Sequence, residues 1–322
     1  MASVRSARET GKAMMKIPGA LGGIIVPLVT PLDDQERVDS HGLRKLVEYL
    51  LSGAVNGIFI LGTTGEFPRL VDDEKKRLIA TVMESAGGKI PICVGIGECG
   101  TRKSLELAGL AQGSGADFLV STLPFYFKVM EVGEQVAFFR SILDSSDIPI
   151  ILYNMPETVG AQIHIETIRQ LLHHPLLVGI KDSGGEMEYF NALLEFKKAR
   201  RNWKVFCGHE RMAFNSLMAG ADGLVPSIGN VFPRMMSSLW EAAVKGDWES
   251  VRKIQSRVDE VNRFNMQINS SLRGVIMRKK ALEILGICNS KVSEPCMSPP
   301  AEILREFEAV IKENYGIYEQ KA

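Results

Sequence analysis

The sequence predicts an α/β protein in which eight parallel strands and their helices close into a (β/α)8 TIM barrel, followed by a C-terminal helical extension. Eight short apolar runs alternate with segments of helical periodicity, and short loops join them. A doubly wound open sheet is the alternative. The count of eight strands disfavours it, and so does the lack of a Gly-x-Gly-x-x-Gly turn after the first apolar run.

The predicted strands are runs rich in apolar and β-branched residues, bounded by glycine, proline or charged residues. The first run is broken at Pro31, and the sixth, Leu-Leu-Val-Gly-Ile-Lys, meets a glycine-rich turn at once. Such runs are typical of parallel strands that are buried on both faces. The eight strands are predicted at residues 22–30, 57–61, 90–95, 117–121, 148–153, 176–181, 204–207 and 222–225.

Between the strands, apolar residues recur at helical spacing. Asp39 or Ser40 is predicted to cap the first helix, Asp72 the second and Thr101 the third. The barrel helices are predicted at residues 40–52, 72–86, 101–113, 131–143, 165–172, 186–200 and 210–219. After Pro233 the strand signal stops, and further helices are predicted at residues 233–245, 247–268, 272–286 and 300–315.

These elements divide the chain into three parts. Residues 1–18 are predicted to be a flexible N-terminal leader, residues 19–232 the barrel, and residues 233–322 the C-terminal helical region. The leader is polar and lacks the apolar core of a secretory signal peptide. Its serines and arginines leave an organelle transit peptide as the alternative.

The composition is that of a water-soluble globular protein. Apolar residues make up 45% and charged residues 24%, and 38 basic residues balance 38 acidic ones. No basic excess points to nucleic acid, and no apolar run approaches the roughly 20 residues of a membrane helix. The five cysteines are scattered, without disulfide or metal spacing. We therefore expect a cytoplasmic protein that binds neither nucleic acid nor membranes.

One lysine stands at the end of an apolar run, where a charged side chain is unusual. Lys181 closes the predicted sixth strand. Burial favours the neutral form of a lysine amine, and the neutral amine is the form that attacks carbonyl carbon. The position therefore indicates a lysine that forms a Schiff base with a keto acid. A strand-end lysine that reaches solvent along its stem is the alternative.

Other polar residues and glycines fall at the carboxyl ends of predicted strands, where barrels of this kind hold their active sites. A tyrosine hydroxyl near the amine can relay protons, and a threonine hydroxyl can orient it. Backbone N–H groups of the turn at residues 62–65 can hold a carboxylate, because glycines let the chain approach closely. The candidate site residues are Gly62, Thr63, Thr64, Gly65, Tyr126, Tyr153, Thr158, Lys181, Gly208, Glu210 and Ser227.

Three motifs at strand ends carry a family resemblance. They are Gly-Thr-Thr-Gly-Glu at residues 62–66, Tyr-Asn-Met-Pro at 153–156 followed by Gly160, and Gly-Ile-Lys-Asp-Ser at 179–183. With these motifs the chain resembles the dihydrodipicolinate synthase / N-acetylneuraminate lyase family of pyruvate-dependent class I aldolases. The resemblance covers the chain from about residue 19 to the C-terminal helices.

The resemblance implies a role for each matching residue. Lys181 would form the imine, Tyr153 would relay protons, and Thr63 and Thr64 would hold the pyruvyl carboxylate. Thr64 would also link Tyr153 to Tyr126, which matches a tyrosine that crosses a dimer interface in the synthase branch. The resemblance further implies a homotetramer built as a dimer of dimers, with no metal and no organic cofactor.

Two departures from the family patterns bear on the second substrate. Thr158 stands where the synthase branch has an arginine, and Glu157 beside it would repel an anion. The sialic-acid lyases have Gly-Tyr-Asp-Glu after strand seven, whereas this chain has Gly-His-Glu-Arg at residues 208–211. Glu210 keeps one acid, and Arg211 reverses the charge of the other.

These departures favour a lyase for keto acids of the 2-keto-3-deoxy sugar acid or 4-hydroxy-2-oxoglutarate type. Its partners would be small-molecule 2-keto acids and aldehydes. The alternatives are 4-hydroxy-tetrahydrodipicolinate synthase activity, dehydration of 2-keto-3-deoxy sugar acids, and a barrel that binds pyruvate or a sugar acid without turnover. A metal-dependent barrel enzyme is disfavoured, because no His, Asp and Glu set has the spacing of metal ligands.

Overall fold

The computed structural model describes residues 21–320, and in it eight parallel strands form a closed barrel. Each strand pairs with its neighbours in chain order, and β1 pairs with β8. The predicted (β/α)8 fold is therefore confirmed. The strands are β1 (Gly23–Pro27), β2 (Gly57–Ile60), β3 (Ile92–Gly95), β4 (Phe118–Ser121), β5 (Ile150–Asn154), β6 (Leu177–Asp182), β7 (Lys204–Cys207) and β8 (Gly223–Leu224).

In this part of the chain, eight helices lie between the strands and four more follow strand eight. The barrel helices are α1 (Ser40–Ser52), α2 (Asp72–Ala86), α3 (Thr101–Gly113), α4 (Val132–Asp144), α5 (Pro156–Val159), α6 (Ile165–Leu171), α7 (Met187–Ala199) and α8 (Ala213–Ala219). The C-terminal helices are α9 (Pro233–Val244), α10 (Trp248–Asn262), α11 (Arg273–Ile284) and α12 (Ala301–Tyr318). None of the helices within residues 21–320 is long and apolar enough to cross a membrane.

Of the three predicted N-cap residues, the structure confirms one and contradicts two. Asp39 caps α1, because its carboxylate accepts the N–H groups of His41 and Gly42. Asp72 and Thr101 instead lie inside the first turns of α2 and α3, after cap residues that make no side-chain hydrogen bond. Asp72 still stabilises α2 there, since a carboxylate in the first turn opposes the positive end of the helix dipole.

Two apolar cores hold the barrel together. The larger core lies between the strands and the surrounding helices, and the smaller one fills the barrel interior. Because both strand faces are covered, nearly every strand residue is buried. The interior core consists of Leu21, Ile25, Phe59, Cys93, Phe118, Val120, Ile151, Tyr153, Phe206 and Val225.

The C-terminal helices pack onto the barrel rather than apart from it. Helix α9 contacts both α10 and β1, and α11 contacts the 3-10 turns Thr63–Gly65 and Ser227–Asn230. These two turns follow strands two and eight, so α11 lies beside the carboxyl ends of the strands. The boundary at residue 233 remains a prediction, and the leader at residues 1–18 lies outside the described part of the chain.

Candidate active site

Lys181 lies inside the carboxyl end of the barrel. It pairs in register with Tyr153 of β5 on one side and with Phe206 of β7 on the other. Strand β6 runs one residue further than predicted, to Asp182, so Lys181 is the penultimate strand residue. The side chain points into the barrel, and the residue is only 6% exposed. The alternative of a lysine that reaches solvent along its stem is therefore wrong.

The surroundings of the Lys181 amine are aromatic. Its Nζ lies 3.8 Å from the centroid of the Tyr153 ring and 5.0 Å from that of Phe59. Among the described residues no carboxylate forms an ion pair with this amine, so the two rings are its close electrostatic partners. Below the amine lies a small apolar cavity lined by Ile25, Phe59, Cys93, Val120, Ile151, Phe206 and Val225. The amine therefore meets a water-poor floor on its inner side.

The Tyr153 hydroxyl faces a threonine. Its oxygen lies 3.3 Å from Oγ1 of Thr63, and its ring meets Phe59 edge-on at a centroid distance of 6.1 Å. Burial alone would raise the pKa of Tyr153. The positive charge of Lys181 and the hydrogen bond with Thr63 outweigh burial, so the pKa of this phenol lies below its ordinary value. A phenol in this state is suited to both giving and taking a proton.

The threonine beside Tyr153 is a correction to the sequence-based expectation. Thr64 was expected to link Tyr153 to a second tyrosine, but the hydroxyl within hydrogen-bonding distance is that of Thr63. The Thr64 side chain makes no hydrogen bond to any residue in the described part of the chain. Adjacent residues of a tight turn point in different directions, and the sequence alone does not say which one faces the barrel axis.

The turn at residues 62–65 is a 3-10 turn over Thr63–Gly65. The N–H groups of Gly65 and Glu66 donate to the carbonyls of Gly62 and Thr63. The N–H groups of Thr63 and Thr64 donate to no acceptor within residues 21–320 and can hold a carboxylate. A Cβ on Gly62 would lie 2.7 Å from the Phe59 ring, and one on Gly65 would lie 3.0 Å from the Leu28 carbonyl.

Two motif residues with no predicted role hold strands five and six in register. Asn154 and Asp182 follow Tyr153 and Lys181 directly and pair with each other. The Asn154 amide donates to Asp182 Oδ1 over 2.7 Å, and the Gly184 N–H donates to the same oxygen over 3.1 Å. Burial raises the pKa of Asp182 despite these hydrogen bonds. The pair fixes the relative position of the amine and the phenol.

Gly208 is placed directly against the lysine. A Cβ at this position would lie 2.2 Å from Ser183 Oγ and 2.7 Å from Lys181 Cε. A side chain at this position would require the lysine stem and the serine hydroxyl to move. Ser183 borders this space, whereas the His209 ring lies against Gly185. Each of the two residues carries a buried polar atom, Oγ and Nδ1 respectively, without a hydrogen-bond partner among the described residues. Neither was among the predicted site residues, although both follow predicted strands.

The structure gives Glu210 and Ser227 a role that differs from the expected substrate contact. Glu210 Oε1 accepts hydrogen bonds from the Ser227 hydroxyl and the Ile228 N–H, at 2.7 and 2.8 Å. Oε2 accepts from the Asn262 amide at 2.6 Å and forms an ion pair with Arg278 at 3.0 Å. Burial works against the charged carboxyl, but Arg278 and these donors lower the pKa of Glu210. Both oxygens are occupied, so the carboxylate joins the barrel to α10 and α11.

Two predicted site residues lie at the surface of the chain. Tyr126 is 83% exposed, has a φ of 76°, and packs its ring against Phe127. Thr158 is exposed in the short helix α5. Beside it, Glu157 lies 3.9 Å from the guanidinium of Arg273. Within the described chain, no recorded contact joins either residue to Lys181.

No group of three His, Cys, Asp or Glu side chains within residues 21–320 is arranged to hold a metal ion. The five cysteines are free thiols, of which Cys93 and Cys207 are buried. Burial raises the pKa of Cys207 to about 11, so this thiol is not an activated nucleophile.

The chain is similar to known proteins over most of its length. The model of the dihydrodipicolinate synthetase family matches residues 20–314. A 4-hydroxy-tetrahydrodipicolinate synthase from Ralstonia nicotianae is 30% identical over 91% of this chain and 96% of its own length. Another from Thermotoga neapolitana is also 30% identical, over 91% and 98%.

The fold is also similar to that of solved structures whose names place them in this family. The dihydrodipicolinate synthase from Bacteroides thetaiotaomicron has a TM-score of 0.87 and 32% identity, over 93% of this chain and 100% of that one. YagE, a prophage protein of the dihydrodipicolinic acid synthase family from E. coli K12 solved in complex with pyruvate, has a TM-score of 0.85 and 25% identity, over 91% and 98%. The chain therefore belongs to the dihydrodipicolinate synthetase family.

Proposed function

We propose that this protein is a lyase that forms a Schiff base between Lys181 and pyruvate or a related 2-keto acid. The observation that carries the proposal is the position of the Lys181 amine, 3.8 Å above the ring of a tyrosine whose hydroxyl meets Thr63. A barrel that only binds a keto acid needs neither a buried amine nor a phenol of lowered pKa. The pair therefore supports catalysis over simple binding.

Imine formation uses these groups as follows. After Lys181 has lost its proton, the amine attacks C2 of the keto acid. A proton then passes from nitrogen to the former carbonyl oxygen, which gives a carbinolamine. Its hydroxyl leaves as water after it takes a proton from the Tyr153 phenol, and the C2–N double bond forms. The free N–H groups of Thr63 and Thr64 hold the carboxylate beside the reacting carbon. The apolar floor under Lys181 limits water on the inner side of the imine.

Cleavage of a 4-hydroxy-2-keto acid then follows. The Tyr153 phenolate takes the proton of the C4 hydroxyl, and the C3–C4 bond breaks. Its electron pair moves into the iminium to give an enamine, and an aldehyde departs. The enamine takes a proton at C3, and water hydrolyses the imine to release pyruvate. Addition runs through the same steps in reverse, so one site serves both directions.

We propose 2-keto-3-deoxy sugar acids or 4-hydroxy-2-oxoglutarate as the substrate type. Thr158 lacks the charge that would grip the carboxylate of aspartate semialdehyde. Two cations nevertheless lie near α5. Lys128 lies against Gly160, where an added Cβ would come within 2.7 Å of its Cε, and Arg273 faces Glu157. Arg273 offsets the negative charge of Glu157, so the carboxylate of a small partner such as glyoxylate can approach α5.

A second candidate is 4-hydroxy-tetrahydrodipicolinate synthase activity, favoured by the names of relatives that match over nearly their whole length. The same imine would then add aspartate semialdehyde. Dehydration of a 2-keto-3-deoxy sugar acid is a further use of the imine. We also propose a homotetrameric assembly and a cytoplasmic location, in which the exposed Tyr126 would meet a partner subunit.

Borohydride trapping tests the proposal. The protein is incubated with pyruvate and reduced, and the modified peptide is mapped by mass spectrometry. We expect one adduct on Lys181 and none in Lys181→Ala. No adduct, or one on another lysine, would overturn the Schiff-base assignment. Turnover with glyoxylate, glyceraldehyde and aspartate semialdehyde as partners of pyruvate then separates the candidate substrates, and adduct formation without turnover of any keto acid would favour the binding barrel.

A further inference from the structure

Helix α11 carries two consecutive basic residues that are both fully buried, Arg278 and Lys279. Neighbouring residues of an α-helix point about 100° apart, so the two side chains reach different loops. Arg278 reaches Glu210 after strand seven and also donates to the Ser227 hydroxyl over 3.2 Å. These contacts of Arg278 fix α11 to the loops after strands seven and eight. The Lys279 side chain extends from the same helix toward the loop after strand two.

The partner of Lys279 is the residue that directly follows the carboxylate-binding turn. Lys279 Nζ lies 2.5 Å from Glu66 Oε1, and both side chains are completely buried. The other carboxylate oxygen of Glu66 accepts the N–H and the hydroxyl of Ser293, at 2.9 and 2.6 Å. Lys279 also donates to the Lys291 carbonyl over 2.6 Å. Glu66 is thus held from two sides by the C-terminal region.

The backbone of Glu66 adopts an unusual conformation, which these side-chain contacts help to hold. Glu66 has a φ of 59°, in the left-handed region that non-glycine residues seldom adopt. Its N–H closes the turn by donating to the Thr63 carbonyl. A conformation of this kind persists only where the surroundings enforce it, and such positions cluster at functional sites. The direction of the Thr63 and Thr64 N–H groups therefore depends on where the Glu66 side chain is anchored.

A buried ion pair is poor evidence for stability, because desolvation of the two charges offsets their attraction. Burial lowers the pKa of Lys279 even though the adjacent Glu66 carboxylate favours its charged form. A pair of apolar side chains would fill the same space without this conflict. The ion pair instead fixes the orientation of the Glu66 side chain, since each of the two charged groups has a defined set of partners.

We infer that Glu66 and Lys279 are positioning residues that set the turn over Thr63–Gly65 to receive the carboxylate of the keto acid. Neither side chain touches the substrate in this account. The inference rests on the proposed function, because it assigns the turn to the carboxylate of the molecule bound at Lys181. It predicts that the pair affects keto acids and leaves ketones without a carboxylate unaffected.

The test compares pyruvate with acetone, which has the same reactive carbonyl but no carboxylate. Both are trapped on Lys181 with borohydride, and the adducts are measured by mass spectrometry at several ligand concentrations. The main variant is the double substitution Glu66→Gln, Lys279→Met, which removes both buried charges together. Ser293→Ala is a milder variant that removes one hydrogen bond to Glu66. Thermal unfolding of each variant reports its stability separately.

In the double variant we expect the half-saturating pyruvate concentration to rise about 10-fold, since misplacement by less than an ångström weakens an oriented contact strongly. Acetone trapping should stay at the wild-type level. Ser293→Ala should raise the half-saturating pyruvate concentration by a smaller factor. If the double variant does not fold, the result for Ser293→Ala tests the inference.

Lys75→Met is the matched control. It breaks a second largely buried pair, in which Lys75 Nζ lies 2.5 Å from Glu98 Oε1 and which makes no ion pair with Glu66 or Lys279. The control should lose thermal stability and keep the wild-type ratio of pyruvate to acetone trapping. An unchanged ratio in the folded Glu66 and Ser293 variants, or the same fall in Lys75→Met, would overturn the inference. No pyruvate adduct in the wild type would instead overturn the proposed function.

Discussion

The substitution Tyr153→Phe removes a single oxygen from the centre of the site. The phenylalanine ring keeps the surface on which the Lys181 amine rests, 3.8 Å from the ring centroid, and the edge-on contact with Phe59. What is lost is the hydrogen bond to Thr63 and the acid–base group. The substitution therefore separates proton transfer from the shape of the site.

The two losses differ in size. A hydrogen bond as long as 3.3 Å contributes at most about 1 kcal/mol to the free energy of unfolding. Loss of a general acid–base group slows the chemical step by roughly 10²–10⁴, or about 3–5 kcal/mol of activation free energy. We therefore expect a folded variant whose Lys181 adduct forms at least about 100-fold more slowly with pyruvate. Rapid-quench borohydride trapping measures this rate.

Tyr189→Phe is the matched control, because Tyr189 is another buried tyrosine, with its hydroxyl 2.7 Å from the Ile163 carbonyl. Its removal should lower the free energy of unfolding by about 1 kcal/mol and leave the trapping rate unchanged. If Tyr153→Phe also trapped pyruvate at nearly the wild-type rate, Tyr153 would not be the proton relay. A slow rate in both variants would indicate general damage instead.

Three further predictions concern other parts of the site and fold. Gly208→Ala should slow adduct formation by about 100-fold, because the new Cβ would displace Lys181 Cε and Ser183 Oγ; wild-type trapping would show that the lysine stem has room to move. Thr158→Arg should raise kcat/KM with aspartate semialdehyde by about 10-fold, since an exposed position accepts arginine and a bidentate contact forms; no gain would locate the difference from the synthases elsewhere in the pocket. Burial raises the pKa of Glu319 to about 7 from 4.5, so its contribution to stability is present below pH 4.5 and lost as the pH rises through 7. Relative to Glu319→Gln, wild-type stability should fall by about 3 kcal/mol between pH 5 and pH 8 in urea unfolding, and a constant difference would contradict the raised pKa.

Much of the fold follows from local patterns. The alternation of apolar runs and helical periodicity gave all eight strands within a few residues, because burial on both faces forces a continuous apolar run. The errors lie at the ends of elements. The predicted helix at residues 247–268 ends at Asn262 and continues as the 3-10 turn Arg263–Gln267, and the eighth strand shrinks to Gly223–Leu224. Element ends depend on caps and neighbouring loops that periodicity does not describe.

The part of the candidate site that lies at the ends of strands was predictable from the sequence. Parallel strands in a closed barrel bring their carboxyl ends to one edge, so Lys181 and Tyr153 had to be neighbours once the strands were assigned. Glu210 was harder, because a carboxylate after strand seven can face either a ligand or the protein. Its four donors come from residues 17 to 68 positions further along the chain.

The sequence by itself determined the barrel fold and the positions of Lys181 and Tyr153 at the carboxyl ends of their strands. Each of these follows from the order of residues along single strands. Only the tertiary structure decided that Thr63 rather than Thr64 faces Tyr153, and that Glu66 is held by Ser293 from 227 residues away. Such contacts depend on how helices from the C-terminal region cross the barrel rim. That geometry is set by the packing of many side chains together, which no short segment of sequence encodes.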